Sequence, residues 1–119
     1  MRTCLLSLAL PTCLAFATIT PAMAAEADLA RSYTEQIHPL MVKTCGGCHG
    51  AEPKDNDLDL AGFATSQALL ARPAVLEHVI ERLHLGDMPP REAPQPSDAE
   101  REQLVGWFSS ALDAEAAAR

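Results

Sequence analysis

The sequence predicts an all-α domain of about three main helices, and three observations carry that prediction. Apolar residues recur at helical spacing in three separate stretches. Those stretches carry start or stop signals of the kind helices use, among them proline, glycine and a capping pair. No stretch alternates apolar and polar residues as a half-buried strand would, and no internal repeat or dividing linker is present.

The first residues read as a separate unit. Met1-Arg2-Thr3 is followed by an apolar run from Cys4 to about Ile19 and then by Pro21-Ala22-Met23-Ala24. A positive start, an apolar middle and an A-x-A end are the marks of a secretory signal peptide, here 1–24, with cleavage after Ala24. The run is too short, and too interrupted by Pro11, for the roughly 20 apolar residues of a membrane-spanning helix. Leu10-Pro11-Thr12-Cys13 faintly resembles a lipid-attachment box, but too little apolar sequence precedes it. The expectation is a soluble, exported single domain over 25–119, in the periplasm.

The domain's elements follow in order. Leu29, Tyr33, Ile37, Leu40 and Met41 form a stripe with Asp28 as its N-cap, and Pro39 predicts a kink or break near His38. Lys43 suits the negative end of that helix. Gly50 to Asp59 is rich in turn formers and charge and reads as a surface loop. Leu58, Leu60 and Phe63 bring apolar groups back in an extended segment, with a helical turn around Ser66 to Leu70. Pro73 opens the next helix, buried through Val75, Val79, Ile80 and Leu83, and Gly86 stops it. Asp87-Met88-Pro89-Pro90 leads into a proline-rich stretch to Pro96. Ser97 and Glu100 then make a capping box for a last helix carrying Leu104, Val105, Trp107, Phe108 and Leu112, with a loose tail from Glu115.

One motif gives these helices a purpose. Cys45-Gly46-Gly47-Cys48-His49 spells C-x-x-C-H, the attachment signature of a c-type haem. The two thiols bond the porphyrin vinyl groups as thioethers, and His49 offers its imidazole to the iron. Cys4 and Cys13 depart with the leader, so Cys45 and Cys48 are the pair left in an oxidising compartment. They would close as a disulfide unless their sulfurs were otherwise used. The flanks are helical, which argues against a thioredoxin-like redox pair. Zinc would need two more ligands, and His78 and His84 stand about 120° apart around a helix. One covalently attached haem c also makes up for a mature chain whose aromatic bulk is Tyr33, Phe63, Trp107 and Phe108. The haem-free chain is expected to fold poorly.

The second iron ligand is assigned to Met88. It lies in a loop between two helices, downstream enough to reach the far face of the ring, and the prolines after it stiffen its presentation. Met41 is too close to the motif and is read as core. His84 is the rival, His78 a half-exposed helix residue, His38 a capping or surface residue. Trp107 is read as core between the first and last helices or at the haem edge, and Gly46 and Gly47 as uninformative.

Charge narrows the partners. The chain carries a formal net charge of −7, and losing Arg2 with the leader leaves it more acidic. A nucleic-acid binder needs a basic face, which is absent. An acidic carrier suits a redox donor and acceptor with a basic docking patch.

The order of leading helix, CGGCHG, loop, helix, methionine loop and last helix resembles a class I cytochrome c. More narrowly, YTEQIHPLMVKTCGGCHG, VLEHVIERLHLGDMPP and LVGWFSSALD resemble the planctomycete-type cytochrome c domain over roughly Tyr33 to Asp113. That resemblance implies a cytochrome c-like fold, thioethers at Cys45 and Cys48, a proximal ligand at His49 and a distal one at Met88. Such domains are often fused to larger exported proteins, whereas this sequence ends after the cytochrome, which reads as a free-standing carrier or small subunit. The function expected is a monomeric electron carrier rather than an enzyme. The alternatives are a gas sensor or peroxidase-like protein with a displaceable ligand, and an electron-entry subunit of a larger dehydrogenase.

Overall fold

The computed structural model describes residues 20–52 and 58–119, and all of the regular structure among them is helical. The leader falls mostly on residues 1–19, outside the described residues. The first helix, α1 (Pro21–Ser32), starts earlier than the sequence suggests. Thr20 caps it, its hydroxyl accepting from the Met23 amide, and Pro21 occupies the first turn. Asp28 is therefore not a cap: it lies inside the helix and pairs with Arg31 at 2.8 Å.

Pro39 does not break the helix. Its ring lacks an N–H and crowds the carbonyl four residues back, and the backbone answers by widening into a π turn over Tyr33–Ile37. The His38 amide reaches back five residues to the Tyr33 carbonyl. Helix α2 (His38–Cys45) then continues to the haem motif. The extra residue in the turn brings Tyr33 and His38 together, with ring centroids 5.7 Å apart.

After the loop come the short α3 (Ser66–Leu70), capped by Thr65, and α4 (Pro73–Leu85). Gly86 ends α4 at φ 70°, a left-handed conformation that costs glycine little. The buried axis of α4 is Leu76 and Leu83, with Val75, Val79 and Ile80 only partly covered beside it. The sequence reading found the right face but placed its centre to one side. The last helix, α5 (Asp98–Ala117), opens with the full capping box: Ser97 Oγ accepts from the Glu100 amide, and Glu100 accepts from the Ser97 amide. It continues through the tail that was expected to be loose, because alanine-rich sequence has high helix propensity.

The core lies where α5 meets α1 and the π turn. Trp107 packs on Tyr33 at 5.0 Å and edge-on against Phe108 at 5.9 Å. Its indole N–H donates to Ser32 Oγ at 2.9 Å, so the polar end of a half-apolar ring is satisfied. Trp107 is thus a wedge between the first and last helices, as expected. Met41 is buried, also as expected. The structure accords with an all-α, cytochrome c-like fold of three main helices.

Candidate haem-binding site

The motif continues α2 by one tight turn. The Cys48 and His49 amides both donate to the Cys45 carbonyl, at 3.2 and 2.8 Å. The cysteines three apart and the histidine beside them are thereby set by a single carbonyl. Gly50 closes the turn from below. It is buried, and a Cβ there would lie 2.5 Å from the Gly46 carbonyl oxygen. The surface loop predicted from Gly50 begins only after this residue, and its positions 53–57 lie outside the described residues.

A returning segment grips the motif from behind. The Leu60 and Ala61 amides donate to the His49 carbonyl at 2.8 and 3.1 Å, while Leu60 buries its side chain. The π turn holds this segment in place. Tyr33 Oη donates to the Phe63 carbonyl, and His38 Nε2 lies 2.8 Å from the Ala61 carbonyl. A carbonyl only accepts, so His38 carries its proton on Nε2. The His38 side chain is therefore neither the helix cap nor the free surface group that the sequence suggests, but a half-buried tie to the returning segment. Burial pushes the Tyr33 phenol up to about 12, so it stays a neutral donor.

Cys45 and Cys48 are unpaired and half-buried. Thr44 Oγ1 donates to the Leu40 carbonyl at 2.7 Å and lies 3.3 Å from Cys45 Sγ. Burial raises the Cys45 thiol above its ordinary range, partly offset by Thr44. That is the opposite of the acidic thiol of a C-x-x-C redox pair.

These residues line one cleft with the second ligand assigned from sequence. Its walls include Cys45, Cys48 and His49 on one part and Leu83, Met88, Pro89, Pro90, Ala93 and Pro94 on another, and its volume is about 130 Å³. Met88 is 38% exposed and stands in that wall. His84 and His78 do not line it; His78 points outward, 3.4 Å from Glu81. His49 Nδ1 is shielded from solvent and has no partner among the described residues.

A porphyrin suits these surroundings. The cleft is largely apolar, two free sulfurs line it, and the His49 imidazole, its Nδ1 shielded, stands beside them. Cys45 and Cys48 would hold the ring through sulfur, and His49 would supply a ring nitrogen to its iron. Among the described residues no cluster of three or more His, Cys, Asp or Glu could hold a metal ion.

Fold and cleft together define a c-type cytochrome domain. Comparison with known families makes this specific: the model of cytochrome c oxidase, cbb3-type, subunit III matches residues 33–108, and the chain belongs to that family. It is accordingly a haem electron-transfer domain with covalently bound haem c. No curated protein and no solved structure gives a significant match. Among the described residues no helix is long and apolar enough to cross a membrane.

Sequence reasoning missed the two side chains that hold the returning segment. In the sequence Tyr33 reads as part of a stripe and His38 as a capping or surface residue, because their partners are backbone carbonyls, which leave no trace in a residue pattern. The signal available was Pro39, whose missing N–H and bulky ring demand a local answer from the five residues before it.

Proposed function

We propose that this chain is an exported electron carrier with one haem c, whose iron His49 and Met88 would hold. The observation that carries the reading is the single cleft shared by Cys45, Cys48, His49 and the Met88-Pro89-Pro90 loop. When bound, the haem supplies a one-electron ferrous–ferric couple, which methionine–histidine ligation raises in potential.

The chain's residues do the rest. Cys45 and Cys48 would hold the ring through two thioethers, which would retain the cofactor in both redox states. His49 would give an imidazole nitrogen, and its backbone is held by Leu60 and Ala61. Met88 gives a soft, neutral sulfur. Leu83, Pro89, Pro90 and Pro94 line the cleft with apolar surface. Ligands fixed in both states keep reorganisation small, which is what a carrier needs. No residue is required as an acid, base or nucleophile.

The planctomycete-type resemblance supports Met88 through its MPP text, and the leader at 1–24 supports delivery of the 25–119 domain to the periplasm as a monomer. An acidic surface favours donors and acceptors with basic docking patches. The matched family's description names a subunit of an oxidase, which favours a second reading: an electron-entry subunit of a larger redox assembly. Stable co-purification with a partner distinguishes that from a free carrier.

Replacing Met88 with Ala tests the ligand set. The weak near-infrared band of sulfur-ligated ferric haem disappears and carbon monoxide binds the reduced protein rapidly. A band that survives the change, or rapid and complete carbon monoxide binding in the unaltered protein, points instead to a displaceable-ligand sensor or peroxidase-like protein.

A further inference from the structure

The Met88 loop has almost no means of holding itself. Pro89, Pro90, Pro94 and Pro96 contribute no amide protons, and the backbone bond recorded within it is Ala93 to the Pro90 carbonyl at 2.9 Å. Its carbonyls, and those of the last turn of α4, need donors from elsewhere.

Two side chains supply them. Arg101, one turn into α5, donates through one guanidinium nitrogen to the Leu83 carbonyl at 3.1 Å and to the Met88 carbonyl at 3.2 Å. Its other terminal nitrogen lies 3.4 Å from Gln95 Oε1. Gln95 Nε2 in turn lies 3.1, 2.7 and 3.2 Å from the carbonyls of Pro89, Pro90 and Ala93. Two protons therefore serve three acceptors. Arg101 orients the Gln95 amide, and Gln95 holds the loop from within. The capping box fixes the start of α5, and Leu104, Trp107 and Phe108 bury it one turn beyond Arg101. The chain from core to Met88 is thus continuous.

We propose that Arg101, assisted by Gln95, is the positioning residue for the distal ligand: it ties the Met88 backbone to α5 and so holds the sulfur over the cleft. This rests on Met88 being an iron ligand. A planar guanidinium reaches two carbonyls and an amide oxygen together, and an ammonium does so poorly.

The test uses the haem-loaded, full protein in five forms: unaltered, Arg101→Leu, Arg101→Lys, Gln95→Ala and Met88→Ala. The readouts are the near-infrared sulfur–iron band, the rate of carbon monoxide binding to reduced protein, and the denaturant midpoint. Losing hydrogen bonds from a charged donor frees the loop, so Arg101→Leu speeds carbon monoxide binding by about tenfold or more and weakens the band. Arg101→Lys lies between, and Gln95→Ala moves both readouts the same way by less. A lowered midpoint in Arg101→Leu with band and rate within about twofold of the unaltered protein means that Arg101 merely stabilises the fold, and overturns the proposal. If Arg101→Leu fails to load haem, unchanged band and rate in both Arg101→Lys and Gln95→Ala overturn it equally. A band that persists in Met88→Ala instead removes the ligand assignment beneath the proposal, a failure visible without any Arg101 variant.

Discussion

The two sides of the cleft are held by different means. On the His49 side, backbone binds backbone: one carbonyl organises the motif, and the next segment returns to bind His49. Tyr33, fully buried, ties that segment to the core. On the Met88 side, prolines remove the backbone donors and side chains from the neighbouring stretch and helix take their place. Met88 itself is 38% exposed. The attachment side should therefore fail only with the whole fold, whereas the distal side should open by itself.

Mutations can break that contrast or sharpen it. Phe108→Ala removes a buried ring from the core behind the attachment side and should cost about 3–5 kcal/mol in denaturant unfolding of the loaded protein. Both sides should then lose order together. A cost under about 1 kcal/mol would mean that this core does not support the site.

Tyr33→Phe tests the tie. At neutral pH it should cost on the order of 1 kcal/mol, the value of one buried hydrogen bond. Its pH dependence is more telling. The phenol rises from 10 to about 12 on folding, so the fold favours its protonated form. That contribution is complete below pH 10 and is lost as pH climbs toward 12, worth on the order of 1–3 kcal/mol. The unaltered protein should thus lose stability relative to Tyr33→Phe across that window. Parallel alkaline profiles for the two would show that Tyr33 is not held as described.

Ser97→Ala should cost roughly 1 kcal/mol by removing the N-cap of α5. Because Arg101 lies just beyond that cap, the loss should also quicken carbon monoxide binding, giving a distal effect from a modest change. Lys43→Ala should cost only a few tenths of a kcal/mol. Its pair with Glu100 at 2.7 Å joins α2 to α5 but is largely exposed on the lysine side, and salt should shrink it further.

What the sequence made legible follows the same division. Pro73, Gly86 and the Ser97–Glu100 box are local signals, and each marks the end it was expected to mark. The C-x-x-C-H spacing works because a single helical turn realises it. Leu76 was passed over because Val75, Val79, Ile80 and Leu83 form an equally regular stripe, and only the packing of α4 decides which edge is innermost. The helical tail was missed because alanine-rich sequence suits both a frayed end and a helix. Arg101, Gln95 and His38 were invisible for a further reason. Each acts on carbonyl groups, which every residue carries, so no pattern of side chains announces the partner.

Covalent attachment of haem through Cys45 and Cys48 is what every other property of the site depends on. The intact mass under denaturing conditions, taken with the visible spectrum, of protein made in a host with cytochrome c maturation reads this in one preparation. The mass should equal the chain from Ala25 plus one haem, with the colour retained after unfolding. A colourless product from such a host, or a haem that separates from the chain on denaturation, would contradict it.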